Sequence, residues 1–234
     1  MNLVSGRLIK IALALVLGSN LCLASAAAEL SESSFVDGTN FLQKLITEYS
    51  QWNDYSCVTE LHNYKSSKAT ITKSKFFYKK GPRVRIEIMG GGFRDGSVII
   101  RSPQEKISGK GGFWMGGVRM KFDHDSRMLI LPDGTNATRA DFPELFALLK
   151  ENLSHGYSCK VSAEPVDEKE FNRKVFVFEI FDSEKMLSAK IYFAADDLLP
   201  IRWDSFHSDK LKASTWFRNL RVNPGLKDDL FQLR

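Results

Sequence analysis

Few side chains in this sequence have a type and spacing that could carry chemistry. Asp123-His124-Asp125 offers two carboxylates and an imidazole in three consecutive positions. Neighbours along a strand point to opposite faces, so these three converge only in a turn, and an Asp-rich turn needs no metal to explain it. His62, His155 and His207 are dispersed, without the His-Glu-x-x-His spacing of a metal site. Gly109-Lys110-Gly111-Gly112 has the composition of a phosphate loop but not its order or its strand-to-helix setting. No Gly-x-Ser-x-Gly elbow occurs, and neither Cys57 nor Cys159 belongs to a Cys-x-x-Cys pair. No catalytic residue, metal site or cofactor is therefore assigned, and an enzyme is the least favoured class.

Large apolar side chains on strand-like segments are the more informative signal. Phe76-Phe77-Tyr78, Val175-Phe176-Val177-Phe178, Ile191-Tyr192-Phe193 and Trp216-Phe217 put bulk on both parities of their segments. Two explanations stand. A twisted sheet with both faces partly covered needs apolar residues on each side. Alternatively, a concave sheet lines a cavity for an apolar ligand, with amphipathic helices stopping it. A second unusual stretch is Gly111-Gly112-Phe113-Trp114-Met115-Gly116-Gly117, where three large apolar residues sit between paired glycines. Exposed, Phe113, Trp114 and Met115 would form a docking or membrane-touching loop; folded back, they would cap the core.

The elements that must position these residues follow from periodicity. Phe41, Leu42, Leu45, Ile46, Tyr49 and Trp52 recur at three and four, one face of a helix that Thr39 or Asn40 could cap. Arg83-Val84-Arg85-Ile86-Glu87-Ile88 alternates strictly, as a strand with one wet face does. Strand-like runs also cover 56–64, 69–79, 97–102, 105–109, 118–123 and 127–131, many of them separated by Gly- and Pro-containing turns. A second helix carries Phe142, Leu145, Phe146, Leu149 and Leu153, with a capping residue within Thr138 to Asp141 and Gly156 at its end. Strands resume at 157–165, 173–181, 187–194, 200–206 and 212–222, and Asp228 to Phe231 adds a short helical turn. The fold class is α+β, mainly β: an antiparallel sheet of about eleven strands with two helices.

Residues 1–26 read as a secretory signal, with Arg7 and Lys10 before the apolar run Ile11 to Leu17 and cleavage after Ala26 or Ala28. The remainder, 29–234, reads as a single domain exported to the periplasm. Its loss of two basic residues leaves 31 basic against 28 acidic, a net charge of +3 rather than the +5 of the whole chain. So small and mixed a charge does not imply nucleic acid. The basic residues at 73, 75, 79, 80, 83 and 85 read as a solvated sheet face. Export leaves Cys57 and Cys159 as an even pair, which suggests a disulfide; two buried free thiols are the alternative. Each cysteine ends a Tyr-Ser-Cys triplet that opens a strand just after a helix.

This order of elements resembles the LolA/LolB lipoprotein-carrier fold family, whose fold also forms the larger domain of RseB-type regulators. Two stretches carry the likeness at sequence level: Asp196-Asp197-Leu198-Leu199-Pro200-Ile201-Arg202, similar to the family's turn into a strand, and Asn219-Leu220-Arg221-Val222-Asn223-Pro224-Gly225-Leu226 with Asp229-Leu230-Phe231, similar to its closing strand and terminal segment. The resemblance implies a strongly curved, unclosed half-barrel with a helical lid. It also implies a function: a periplasmic carrier whose apolar interior takes an acylated protein or lipid, working with a membrane-protein donor or acceptor. Phe76, Ile86, Ile88, Trp114, Phe176, Phe178, Phe193, Trp203 and Trp216 are the candidate ligand-binding residues, some of which serve as core. The Phe113-Trp114-Met115 loop resembles the protruding apolar loop of the family's receptor-type member. A monomer is expected. The alternative is a periplasmic sensor or regulatory interaction protein of the same fold.

Overall fold

The computed structural model describes residues 34–64, 69–90, 94–112, 116–131 and 134–233. The expected signal segment 1–26 and the loop residues Phe113, Trp114 and Met115 lie outside the described residues. In chain order the elements are β1 (Phe35–Asp37), α1 (Thr39–Ser50), β2 (Asp54–Asn63), β3 (Thr70–Lys79), β4 (Arg83–Met89), β5 (Val98–Arg101), β6 (Ile107–Lys110) and β7 (Arg119–Phe122). After α2 (Phe142–Leu153) come β8 (Ser158–Ser162), β9 (Val166–Glu168), β10 (Arg173–Phe181), β11 (Leu187–Ala194), β12 (Pro200–His207) and β13 (Lys210–Val222).

The described strands form one antiparallel sheet in the order β1-β8-β10-β11-β12-β13-β2-β3-β4-β5-β6-β7, with β9 paired to β10. The two meanders read from the sequence are thus joined by the pairing of the last strand with the first long one, from Ala213 opposite Asn63 to Val222 opposite Tyr55. Among the described residues the sheet does not close: β1 and β7 end its strand order, and β9 lies at a further edge beside β10. Both helices pack on one face, where Leu42, Leu45 and Tyr49 of α1 and Phe142 and Phe146 of α2 are buried in the main core.

Local differences from the sequence reading have physical causes. Gly38, not Thr39 or Asn40, caps α1, and Thr39 donates its N–H and hydroxyl to Asp37 instead. A Cβ at position 38 would lie 2.8 Å from the Phe178 ring and 3.1 Å from the backbone of Cys159 and Lys160, so the helix starts where only glycine fits. The run 157–165 splits into β8 and β9 around Pro165, which has no N–H for a ladder. The run 127–131 is not a strand. A turn in which Ser126 N–H donates to Asp123 O leads into a 3-10 turn at Arg127–Leu129, which buries Leu129 instead of pairing it. The Asp-rich turn at 123–125 is what the sequence suggested.

Three fastenings hold the helices and the tail to the sheet. The Tyr49 hydroxyl of α1 donates to Leu198 O, 2.7 Å away, in the turn before β12. Asp54, buried at the start of β2, accepts from Gly225 and Leu226 N–H and anchors the closing segment. Beyond it, Asp228 meets Lys79 and Arg83, and Leu230 O accepts from Arg85, so part of the basic sheet face is neutralised within the chain. The third fastening is Arg101 of β5, which is 1% exposed and reaches Asp141 at 2.9 Å and Glu144 at 2.7 Å. Asp141 also caps α2, its carboxylate accepting from Glu144 N–H.

The expected disulfide is corrected. Cys57 is on β2 and Cys159 on β8, with β10, β11, β12 and β13 between them in the sheet, and both thiols are free and buried. The repeated Tyr-Ser-Cys triplet marks two strands that each follow a helix, not two neighbours. Burial pushes the Cys57 thiol up to about 12 and the Cys159 thiol up to about 11. Protein lacking residues 1–26 should therefore show almost no reaction with a thiol reagent at pH 8 when native, and two thiols in denaturant without reductant; fewer than two would restore the bridge.

Arg101 sets a stability test. Replacing it with Ala leaves Asp141 buried and unpaired at pH 7, and should cost about 3–5 kcal/mol in urea unfolding. Burial pushes the Asp141 carboxyl up to about 6, against the opposing Glu144 N–H and Arg101. Relative to the unfolded chain, that proton adds stability below about pH 4, which is lost as pH rises through about 6. The cost of R101A should accordingly shrink at pH 5, and D141N should remove the pH slope between about 4 and 6.

Candidate functional site

Side chains on β2 alternate by face, and Tyr55, Cys57, Thr59, Leu61 and Asn63 point to the face that carries the helices. Their partners on β3 are Tyr78, Phe76, Ser74, Thr72 and Thr70 in the same order. Ile86 and Ile88 of β4, Ile99 of β5, Trp203 of β12 and Thr215 and Phe217 of β13 extend the same concave face. Over it lie Leu129, Ala137 and Ala140 of the segment that returns from β7, then Phe142 and Leu145 of α2. Between these layers remains a cavity of about 690 Å³, within the usual range for a small-molecule site.

The cavity has two unlike ends. At one, Tyr55 stacks on Phe76, Tyr78 and Phe142 with ring centroids 5.9, 5.2 and 5.1 Å apart, and its hydroxyl accepts from Phe142 N–H. Phe217 meets Phe142 edge-on at 4.9 Å. Toward the β2–β3 turn the lining becomes hydroxylic: Thr59 and Ser74 share a hydrogen bond of 2.6 Å, and Thr72 and Thr70 follow. Exposure on β3 rises in step, from buried Phe76 through half-buried Ser74 to exposed Thr72 and Thr70. Met128 and Ile130, both exposed, lie at the rim.

The structure separates the sequence-predicted residues into three groups. Phe76, Ile86, Ile88 and Trp203 line the cavity. Phe176, Phe178 and Phe193 face the same side of the sheet but are covered by α1, whose Phe41 ring lies 5.4–5.7 Å from all three; they are core. Trp216 is on the opposite, convex face, packed against Phe171 and against the guanidinium groups of Arg202 and Arg218. There Arg202 pairs with Asp204 and Glu170 beside Tyr192, while Val175 and Val177 pack with Phe35 and Val166. The two-sided bulk of β10 and β11 thus has two explanations at once, a helix on one side and a surface cluster on the other.

Sequence reasoning missed the hydroxylic half, although Thr70, Thr72, Ser74, Phe76 and Tyr78 share one parity and could have been read as one lining row. It also missed Arg94, Arg127 and Lys212, which join the lining from three separate segments. The lining among the described residues holds no carboxylate and no imidazole, and no three metal-ligating side chains among them meet. What this arrangement can do is shelter an apolar body and meet a polar end.

No protein-family model matches the chain, and no curated protein matches it. Solved structures do. An uncharacterized conserved protein from Thermus thermophilus aligns over 83% of this chain and 93% of its own, with 8% identity and a TM-score of 0.51. A LolA superfamily protein from Nitrosomonas europaea aligns over 85% and 98%, with 10% identity and a TM-score of 0.48. A DUF1329 family protein from Desulfovibrio piger aligns over 84% and 98%, with 11% identity and a TM-score of 0.48. At these identities the likeness is one of fold.

Proposed function

We propose that the protein is a binding or carrier protein that houses the apolar part of an amphiphilic ligand, an acylated protein or a lipid, in the cavity under α2. The observation that carries this reading is a space of about 690 Å³ floored by Tyr55, Phe76 and Phe217, covered by Phe142 and left unfilled by the described side chains. A domain that needed this sheet only as a scaffold would fill that space, since interiors pack to crystal density. The other half of the same concave face shows what filling looks like, with Phe41 of α1 wedged among three phenylalanines. Each methylene moved from water into the cavity contributes about 0.8 kcal/mol.

Direction of transfer would come from α2. This helix and the segment before it are the cover, and they are held to the sheet by Arg101 and by the Tyr55–Phe142 contacts. A donor or acceptor in the membrane that shifts α2 would open the space. A secretory signal at 1–26, as the sequence suggests, would put this work in the periplasm, with 29–234 as the working domain.

Gently purified protein should release lipid on organic extraction, identifiable by mass. The variant Thr72→Trp puts an indole into the open end at an exposed strand position. It should lower bound lipid by about tenfold while changing unfolding stability by less than about 0.5 kcal/mol. Wild-type protein that carries no lipid and takes up none from solution would overturn the carrier reading. Intact mass of the exported protein should place its first residue at 27 or 29.

A further inference from the structure

Charge at the open end of the cavity says more about the ligand than its volume does. Three lining residues are cationic, Arg94, Arg127 and Lys212, and none in the described lining is anionic. Arg94 and Arg127 are exposed and Lys212 is half-buried, and all three residues line the cavity. Arg94 comes from the β4–β5 connection. Lys212 stands at the start of β13, where its carbonyl accepts from Tyr64 N–H beside the β2–β3 turn. Both are therefore at the hydroxylic end, away from the Tyr55 cluster. Arg127 enters from the 3-10 turn that carries Leu129 into the cavity.

Six other arginines among the described residues, Arg83, Arg85, Arg101, Arg139, Arg173 and Arg202, are paired with carboxylates. No carboxylate among the described residues lies within ion-pair distance of the three rim cations. A low-dielectric cleft with charge of one sign at its mouth concentrates ligands of the opposite sign. Arginine in particular offers paired donors to carboxylate and phosphate oxygens.

Taking the cavity as the ligand site proposed above, we propose that it binds an amphiphile with an anionic headgroup. The tail lies toward Tyr55, Phe76 and Phe142. The phosphate or carboxylate lies among Arg94, Arg127 and Lys212, with the hydroxyls of Thr70 and Thr72 beside it.

Delipidated full-length mature protein tests this by calorimetric titration with three glycerol-based probes of the same charge or chain: lauroyl lysophosphatidylglycerol, monolauroylglycerol and glycerol phosphate. The anionic amphiphile should bind at least about tenfold more tightly than the neutral one at low salt, as charge-assisted hydrogen bonds would give. That margin should narrow as salt rises from about 50 to about 500 mM, because the cations are at the surface. Glycerol phosphate alone should not bind measurably. In the triple variant R94Q/R127Q/K212Q, the margin should vanish while monolauroylglycerol still binds, and an unchanged thermal unfolding midpoint shows that the variant is folded. Equal binding of the two amphiphiles by wild type, a margin that survives in the triple variant, or binding of glycerol phosphate as tight as that of the amphiphile would each overturn the headgroup assignment and leave the cavity reading standing. If neither amphiphile binds, the cavity reading fails and this assignment with it.

Discussion

The pairing of β13 with β2 is the constraint on which the rest of this architecture depends. It joins residues 213–222 to residues 55–63, so two meanders far apart in the chain become one continuous surface. Without that ladder each meander would present two edges and a shallow face. With it, Thr215 and Phe217 stand beside Thr59 and Leu61, and the concave side becomes wide enough to take two helices with space to spare. The slip in register between Arg218 and Arg221 falls at the same junction, where an irregular ladder increases local twist and helps the strands curl. The terminal segment then locks the join, through Asp54 and the N–H groups of Gly225 and Leu226.

On that surface the two helices have different tasks. α1 is packed as a permanent part of the core, with Leu45 fully buried and Tyr49 tied to the turn before β12. α2 is attached at its N-terminus by an ion pair that includes a fully buried arginine, and farther along it Leu148 is exposed and Lys150 lies in the last turn. A buried ion pair adds little net stability compared with an apolar contact, but it fixes geometry, because its partners tolerate no other neighbours. Fixing the start of α2 fixes the roof of the cavity.

Much of this was legible in the sequence. A period of three to four located both helices, and strand-like runs, many between Gly- and Pro-containing turns, located the long strands, of which β10 and β11 are apolar on both faces. Short β1 and β9 left no such pattern, because three residues do not establish a period. The site was legible in part. Phe76, Ile86 and Ile88 are inward by alternation, but so are Phe176, Phe178 and Phe193, and only the path of α1 decides which set is covered. Trp216 illustrates the reverse case: its neighbour Phe217 is the inward one, and a single residue of phase separates cavity from convex surface. The rim cations come from three distant segments, so no local spacing announces them.

An open sheet keeps unpaired margins, and these invite strands from other molecules. Here the strands that end the order are short: β1 has three residues and β7 four. On β7, Arg119 and Lys121 are exposed, so a second copy approaching β7 to β7 would bring like charges together. The half-barrel can therefore stay unclosed without becoming a template for fibrils.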